Sequence, residues 1–212
     1  MHFTHLDNLP DIVAAGRLVC DAQAHQGLTR TEVGDVGIKE ARRRRAVDAG
    51  PGGFVGDYVP FYFAGRSPMM YRIACDHRDS VPERYPDGDR PLVYLATTVG
   101  AVLDAGLAWV ASDGNAATLT THFSDVPDEV DAMVDWPLMK AAMWRNSDDD
   151  PDRQRRRMAE FLVHGWVPLP IVKAVAAYSD TYADRARAAL AGHALADHVV
   201  VRQGWYYGYG RR

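Results

Sequence analysis

The segment that decides the fold is YVPFYFAGRSPM, residues 58–69. Its first half consists of aromatic and β-branched residues around one proline, a composition that favours a β-strand. Pro60 has no N–H to donate inside a sheet, so we predict that the strand lies at a sheet edge or begins here. The segment therefore marks the border of a small sheet.

The same segment carries groups that suit nucleotide binding. Between Val59 and Met70, aromatic rings, one arginine and two methionines follow one another, which would offer a stacking surface for bases beside a phosphate-binding cation. Ordinary core packing explains Phe61 and Phe63 equally well. Arg66 needs a partner if it is even partly buried, and Asp57 or a phosphate would provide one.

Strands and short helices are predicted on both sides of this segment. Hydrophobic patterning predicts strands at residues 2–6, 92–95, 108–110, 171–177 and 198–201. Turn and capping residues predict helices at residues 9–16, 98–106 and 181–190. Because strands and helices do not alternate regularly, we predict an α+β domain with mostly antiparallel strands and exclude a doubly wound parallel sheet.

Three local patterns complete this prediction. Asn8 precedes Leu9 and Pro10, and asparagine is favoured as a helix cap, so we predict that Asn8 caps the first helix. Residues 118–151 carry many aspartates and two tryptophans, and we interpret them as a loop-like acidic linker. Residues 159–163, AEFLV, fit either a continued helix or a strand that opens at Glu160.

The composition is that of a soluble globular protein. The 212 residues are 47% hydrophobic and 25% charged, a balance that supports one core, and we predict a single domain over residues 1–212. The net charge of −4 gives no overall attraction to a polyanion, so any nucleic-acid site must be a local patch. No export signal or membrane-spanning run is visible, so we predict a cytoplasmic protein without membrane contact.

The cysteines do not form a recognisable metal or disulfide pattern. Cys20 and Cys75 are far apart, and neither lies in a CxxC spacing or near other metal ligands. We therefore expect no disulfide and no metal site, in keeping with a reducing cytoplasm.

His2 and Thr4 form a candidate binding pair at the start of the chain. Side chains two residues apart on a strand point the same way, while His5 points to the opposite face. A His-x-Thr pair can hydrogen-bond a ribose and a carboxamide. A histidine near a chain end is more often a simple surface or core-edge residue, so the pair alone is weak support for a site.

Arg42, Arg43, Arg44 and Arg45 form a compact positive patch in an acidic protein. Guanidinium groups make bidentate contacts with the pyrophosphate of a dinucleotide or with nucleic-acid phosphates. A solvated, charged helix face is the more common meaning of such a run. Both interpretations stay open on these residues alone.

Glu160 is the strongest candidate for a catalytic carboxylate. It stands alone at the entry to the apolar run Phe161–Val163, where burial would suit it to general acid–base chemistry. The alternative is an ion pair on a helix surface with Arg156 or Arg157, which lie at helical spacing. No Ser-His-Asp order, P-loop or GxGxxG motif competes with these interpretations.

Four of these stretches follow one another in a distinctive order. They are HFTHLDNL at residues 2–9, IKxxR at 38–42, YVPFYFxxRSPM at 58–69 and AEFLV at 159–163. Together they resemble the DarT family of DNA ADP-ribosyltransferase toxins, and the resemblance extends from Met1 to about Val201. It implies an ADP-ribosyltransferase fold in which two small, mostly antiparallel sheets form a cleft for NAD.

The resemblance also implies roles for individual residues. Glu160 takes the position of the family's catalytic glutamate, and Arg42, chosen from its spacing to Ile38, takes that of the functional arginine. NAD is implied as the co-substrate, with no metal. The residues implied to bind NAD are His2, Phe3, Thr4, Leu18 and Arg42, and those implied to bind DNA are Tyr62, Arg66, Met69, His122 and Arg145.

Single-stranded DNA is the implied acceptor, with thymine the expected base, and blocked replication is the expected result. The alternatives are transfer to guanine, RNA or protein, or an inactive module that binds NAD or DNA, although an intact Glu160 argues against the last. The resemblance further implies a DarG-like antitoxin partner with a macrodomain that removes ADP-ribose from DNA.

Overall fold

The structure is a computed structural model that describes residues 1–24, 31, 33, 36–80 and 87–210. The strands are β1 His2–His5, β2 Arg17–Val19, β3 Tyr58–Tyr62, β4 Leu92–Ala96, β5 Trp109–Ser112, β6 Phe123–Ser124, β7 Glu160–His164, β8 Trp166–Pro168, β9 Ala174–Ala177 and β10 Val199–Val201. The helices are α1 Leu9–Ala15, α2 Asp21–Ala24, α3 Val36–Arg44, α4 Pro68–Arg78, α5 Val99–Asp104, α6 Pro127–Met133, α7 Trp136–Lys140, α8 Arg153–Arg156 and α9 Asp180–Ala189.

The strands form two main sheets and one short antiparallel pair. The first sheet has the order β1-β4-β9-β10, with antiparallel pairs except for the parallel pair of β9 and β10. The second sheet has the order β3-β7-β5-β6 and is antiparallel throughout. Strands β2 and β8 pair separately. The predicted α+β class with mostly antiparallel strands is confirmed.

The two sheets share one core. Successive side chains of a strand point to opposite faces, so every second residue of each strand can face the same side. Alternate residues of β3 and β7, such as Val59 and Val163, pack in the same buried cluster as alternate residues of β4 and β9, such as Leu95 and Val175. The remaining residues of these strands, such as Tyr62, face smaller clusters on the outer sides.

Pro60 lies on an edge strand, which confirms the prediction made from its missing N–H. Strand β3 pairs with β7 on one side, and on its other side the Tyr62 N–H donates to the Met1 carbonyl at 2.8 Å. The start of β1 therefore meets the free edge of β3. This junction brings the two sheets together beside the first residue of β7, Glu160.

The prediction of a loop-like acidic linker over residues 118–151 is wrong. This stretch contains β6, α6 and α7, which are too short to produce a clear hydrophobic period. Some of its aspartates have local structural roles, since the Asp135 carboxylate accepts the Leu138 N–H at 3.0 Å and caps α7.

Two smaller predictions also need correction. The strand expected over residues 171–177 is shorter, because a 3-10 turn at Leu169–Ile171 precedes β9. Asn8 does not cap α1 with its side chain. Its amide instead donates to the Thr4 hydroxyl at 2.9 Å, and both its amide and its carbonyl bond the backbone of Thr31.

Candidate active site

Glu160 begins β7 and is fully buried, with 0% of its surface exposed. The strand register places it opposite Tyr62 on β3. Its backbone N–H donates to the Ser112 hydroxyl on β5 at 3.0 Å. A carboxylate that is removed from water needs charged or hydrogen-bonding partners to offset the cost of its burial. An arginine and a backbone amide from elsewhere in the chain provide them.

Arg42, on α3, forms a bidentate ion pair with Glu160. Its Nη1 donates to Oε1 and its Nη2 to Oε2, both at 3.0 Å, which is the matched geometry of guanidinium and carboxylate. The two side chains are 15% and 1% exposed. Burial opposes the charge on the guanidinium, but the Glu160 carboxylate outweighs burial and holds the pKa of Arg42 above its ordinary value.

The other arginines of the basic run point elsewhere. Arg43 pairs with Asp21 on α2 at 2.8 Å, and the side chain of Arg44 is 77% exposed. Arg45 donates to backbone carbonyls of the loop that follows β5. Of the four, Arg42 is the one that contacts Glu160.

This geometry excludes a helix-surface ion pair for Glu160. Arg156 pairs with Asp150 at 2.8 Å. Arg157 is buried, and its Nη2 donates to the Gly65 carbonyl at 2.6 Å. Arg156 ends α8 and Arg157 follows it, whereas Glu160 begins β7. The three residues therefore do not share a helix face.

The loop over residues 113–121, which we call the support loop, also contacts Glu160. The Ala116 N–H donates to Glu160 Oε1 at 3.2 Å. The Ser112 hydroxyl, which accepts the Glu160 N–H, donates to the Gly114 carbonyl at 2.8 Å. The backbone and the carboxylate of the glutamate are thus tied to one loop.

Arg155 in turn fixes this loop. Its guanidinium pairs with Asp113 and Asp152 at 2.9 and 2.8 Å, and its carbonyl accepts the Asn115 N–H at 3.1 Å. The loop closes on itself where the Thr121 hydroxyl donates to the Asn115 carbonyl at 2.7 Å. The sequence analysis did not predict this role of Arg155. The available signal was the turn at residues 113–116, which follows β5.

Gly114→Ala tests the support loop. A Cβ at this position would lie 3.0 Å from the Cγ and from the carbonyl oxygen of Arg155 and would also meet its guanidinium. We expect the loop to shift and the free energy of unfolding to fall by about 1–3 kcal/mol, as in other overpacked sites. Thermal unfolding measures this loss, and the melting temperature should decrease.

Gly100→Ala is the matched control. Gly100 lies in α5 with no atom within 4 Å of the added Cβ, so alanine should stabilise the helix slightly, by up to ~1 kcal/mol. If Gly114→Ala were as stable as Gly100→Ala, the close packing around Gly114 would be unimportant.

A cavity of about 50 Å³ is lined by residues of β1, α1 and β2. Its walls include His2, Thr4 and Leu18, three of the predicted NAD-binding residues, together with side chains of α1 and β2. Ligand pockets usually measure ~300–1,000 Å³, so this cavity can hold only part of a dinucleotide. Thr4 is held in place by Asn8, whose amide donates to its hydroxyl.

His2 faces this cavity as a neutral ring. Burial lowers the pKa of His2 to about 4, although its hydrogen bond with Pro60 opposes this change, and the charge of Arg42 lowers it further. The distance between Nδ1 and the Pro60 carbonyl oxygen is 3.0 Å. Because a carbonyl only accepts, the Nδ1 of the neutral ring carries the proton, which leaves Nε2 as an acceptor.

The titration of His2 can be followed directly by NMR. We expect its C2–H resonance to stay constant from pH 7.5 to 5.5 and to move only as the pH approaches 4, whereas an ordinary histidine titrates near pH 6.5. The spectrum of His2→Gln identifies the resonance by its loss. Movement centred near pH 6.5 would contradict the buried, neutral state.

The same shift predicts a pH dependence of stability. The unfolded chain binds a proton at His2 with the ordinary pKa of about 6.5, and the folded chain binds it at about 4. The unfolded state therefore holds more protons in this interval, and stability should fall as the pH decreases from 6.5 to 4. Denaturant melts of wild type and His2→Gln measure the difference.

Phe3 and Tyr62 lie under the site and not on its surface. They are 9% and 8% exposed, and their rings stack with centroids 6.0 Å apart. Phe3 points away from the cavity, so its contact with NAD would have to come from its backbone. Burial, and next the charge of Glu160, raise the pKa of the Tyr62 phenol well above its ordinary range.

The predicted DNA-binding residues lie in different surroundings. Met69 is near Tyr62, with 4.0 Å from its Sδ to the phenol oxygen. Arg66 is exposed and donates from Nε to the Tyr206 carbonyl at 2.9 Å, so Asp57, one of the two partners considered for it, does not pair with it. His122 and Arg145 are both exposed; the first follows the support loop and the second follows Trp144.

Asp57 is not available to Arg66 because it caps a turn, where its carboxylate accepts the Phe54 N–H at 2.8 Å.

Among the residues that the structure describes, no group of three or more His, Cys, Asp or Glu side chains is arranged to hold a metal ion. Within the same described ranges, no helix combines the length and the apolar character needed to cross a bilayer.

Comparison with known proteins identifies the family. The model of the family described as "ssDNA thymidine ADP-ribosyltransferase, DarT" matches residues 1–207. The chain belongs to the DarT family. A DNA ADP-ribosyl transferase of Mycobacterium tuberculosis is 42% identical over 209 residues, which cover 97% of this chain and 87% of that protein. One from Thermus sp. is 33% identical over 97% of this chain and 94% of that protein.

Solved DarT structures have the same fold. Thermus sp. 2.9 DarT in complex with ADP-ribosylated ssDNA superposes with a TM-score of 0.86 at 30% identity, covering 97% of this chain and 94% of that chain. The same protein in complex with NAD+ gives a TM-score of 0.82 at 30% identity, with 97% and 96% covered. The ADP-ribosyltransferase fold predicted from the DarT motifs is therefore confirmed.

Proposed function

We propose that this DarT-family enzyme transfers ADP-ribose from NAD to thymine in single-stranded DNA. The observation that carries the proposal is the buried Arg42–Glu160 pair, whose guanidinium acts electrostatically on His2 of the cavity. The description of the family and the Thermus structures with NAD+ and with ADP-ribosylated ssDNA support it. Roles for individual residues follow from their chemistry.

The residues of the cavity fit part of a dinucleotide. NAD supplies an ADP-ribosyl group joined to nicotinamide as the leaving group. The Nε2 of neutral His2 can accept a hydrogen bond from a ribose hydroxyl, and the Thr4 hydroxyl can bond a second polar group. Leu18 provides an apolar wall that excludes water from this side.

Glu160 is proposed to act through its negative charge. Its carboxylate can accept a hydrogen bond from a ribose hydroxyl and stabilise the positive charge that develops as nicotinamide leaves, as carboxylates do in glycoside cleavage. The Ala116 N–H holds one carboxylate oxygen in a fixed position. The support loop therefore orients this charge before the reaction begins.

Arg42 is proposed to orient the acceptor base and to stabilise the charge on it. In thymine the attacking ring nitrogen carries a proton, which is released to solvent overall as the new bond to ribose forms. A guanidinium that stays charged is a poor proton acceptor, and the ion pair keeps Arg42 charged. Its role is therefore electrostatic and geometric.

The acceptor must be unpaired, because base pairing hides the edge that reacts. A modification on this Watson–Crick edge blocks replication, so the enzyme is proposed to act as a toxin in the cytoplasm. A cell that carries it needs protection, and we propose a DarG-like macrodomain antitoxin as the partner that removes ADP-ribose.

Incubation with NAD and a panel of oligonucleotides, followed by mass spectrometry, tests the function. We expect an ADP-ribose adduct on thymine in single strands and none on the matching duplexes. An adduct found only on guanine would identify guanine, and not thymine, as the acceptor base. Modification of RNA or protein, with none on any DNA, would overturn DNA as the substrate.

A further inference from the structure

Four aromatic side chains form a continuous surface at one end of α4, which we call the aromatic platform: Tyr71, Trp144, Tyr207 and Tyr209. Tyr71 is its centre, with ring centroids 5.5 Å from Trp144, 5.1 Å from Tyr207 and 6.3 Å from Tyr209. Tyr71 is 37% exposed, and the other three are partly exposed.

The hydrogen bonds of the platform fix its shape. The Trp144 indole N–H donates to the Tyr207 hydroxyl at 3.0 Å, and this hydroxyl donates to the Arg66 carbonyl at 2.8 Å. Burial raises the pKa of Tyr207 to about 12, so the hydroxyl keeps the proton that it donates. The rings are thus held rigidly, at little further entropic cost to a ligand.

Cations lie over and beside these rings. The guanidinium carbon of Arg66 is 5.5 Å from the Tyr207 ring centroid, and that of Arg78 is 5.3 Å from the ring of Tyr209. Arg78 also pairs with Asp79. For Arg66, no carboxylate among the described residues lies within ion-pair distance. Its charge is available to an anion that approaches the platform.

A second uncompensated cation lies beneath the same surface. Arg157 is 2% exposed, and within the described part of the chain its Nε has no hydrogen-bond partner. Its Nη2 bonds the carbonyl of Gly65, the neighbour of Arg66. A buried guanidinium without a carboxylate makes this side of the molecule locally positive, despite the net charge of −4.

The platform adjoins residues that were predicted to bind DNA. Met69, which contacts Tyr62 opposite Glu160, lies in the first turn of α4, and so does Tyr71, the centre of the platform. Two of the predicted DNA-binding residues adjoin the platform directly: Arg66 stacks on Tyr207, and Arg145 follows Trp144 in the chain.

We propose that the aromatic platform stacks unpaired bases that flank the acceptor base, as a second DNA subsite. The inference rests on the proposed function. Aromatic faces with interspersed arginines are the usual means of binding single strands without reading their sequence. The rings would hold neighbouring bases, while Arg66 and the buried charge of Arg157 would attract the phosphates between them.

Binding of fluorescent oligonucleotides, without NAD, tests the platform. One strand carries thymine with normal bases on both sides, and a second carries thymine with abasic flanks of the same length and charge. Wild type should bind the first strand about 5- to 150-fold more tightly, the range expected for stacking one base. Tyr209→Ala should lose most of this preference, because its ring is removed.

Tyr209→Phe keeps the ring and should bind like wild type. Arg185→Ala is a matched control, since it removes a similar arginine–tyrosine stack, 5.4 Å from Tyr182, on α9. Thermal unfolding of each variant verifies the fold. An unchanged preference in both Tyr209→Ala and Tyr71→Ala would overturn the proposal, as would equal losses on normal and abasic strands.

The rates of reaction separate this proposal from the proposed function. Nicotinamide release without DNA, and transfer to the abasic-flanked strand at saturation, should be the same in Tyr209→Ala and wild type. If wild type modifies no single strand, the proposed function fails. If wild type modifies DNA but Tyr209→Ala and Tyr71→Ala match it on every strand, only the platform fails.

Discussion

Glu160→Gln is expected to reduce ADP-ribosyl transfer by at least about 10²- to 10³-fold, the loss typical of removing one preorganised electrostatic partner of a transition state. The amide has the same size as the carboxylate, but it lacks the charge proposed to stabilise the reacting ribose. Adduct formation on a thymine oligonucleotide, measured in single turnovers, gives the rate. Transfer at the wild-type rate would rule out this role.

Binding of NAD should survive in the same variant, because the cavity of His2, Thr4 and Leu18 is unchanged. The amide oxygen can still accept the hydrogen bonds that Glu160 Oε1 receives from Arg42 and Ala116, and the bond from Arg42 Nη2 to Oε2 is lost. Calorimetric titration with NAD separates lost binding from lost chemistry. A loss of affinity that accounts for the whole loss of transfer would assign Glu160 to binding.

Glu129→Gln provides the control for this change. Glu129 lies on α6, is exposed, and accepts a hydrogen bond from the Ser124 hydroxyl. The same chemical substitution at this surface position should leave transfer and nicotinamide release close to the wild-type values. If the loss of any carboxylate lowered the activity, Glu160→Gln and Glu129→Gln would both be impaired.

Arg42→Ala is expected to have the second largest effect, a loss of about 10²- to 10³-fold in base modification. If the guanidinium orients the base and stabilises its charge, nicotinamide release without DNA should decrease much less. Separate assays of the two steps test this split. Equal losses in both steps would assign Arg42 to NAD binding or to the support of Glu160.

Arg42→Ala also leaves a buried carboxylate without its charged partner, and breaking a buried pair typically costs ~3–5 kcal/mol. We expect a lower melting temperature, so activity is to be measured well below it. Arg42→Lys keeps the charge but loses the bidentate fork, and it should recover stability more than activity. A lysine variant as active as wild type would show that the charge alone is sufficient.

Arg44→Ala is the matched control within the same helix. The side chain of Arg44 is 77% exposed and pairs with Glu40 one turn away, a surface contact worth ~0.5 kcal/mol at most. Neither transfer nor stability should change measurably. A large effect would mean that the whole basic run, and not Arg42 alone, serves the reaction.

Local chemistry explains what could be predicted from the sequence. The aromatic run around Pro60 defines a strand and its edge position, because both depend on residues within the segment. Glu160 is conspicuous as one carboxylate before an apolar strand. The choice of Arg42 among four arginines depended on resemblance, and its contact with Glu160 joins residues 118 positions apart.

Long-range contacts explain what could not be predicted. The partner of Arg66 is the backbone carbonyl of Tyr206, 140 residues away, and carbonyls leave no trace in a sequence pattern. The Asn8 side chain has capping chemistry, but the nearby Thr4 and Thr31 compete for it successfully. The short helices within residues 118–151 are stabilised by tertiary contacts and lack a hydrophobic period of their own.

The closed arrangement of Glu160 has a consequence for inhibitor design. With its side chain 1% exposed and both oxygens bonded to Arg42, the carboxylate offers little surface to a small molecule. A compound aimed at it must replace the guanidinium with donors of its own or bear the cost of separating a buried pair. Entry through the His2 and Leu18 side avoids that cost, so fragments for this enzyme are best sought there.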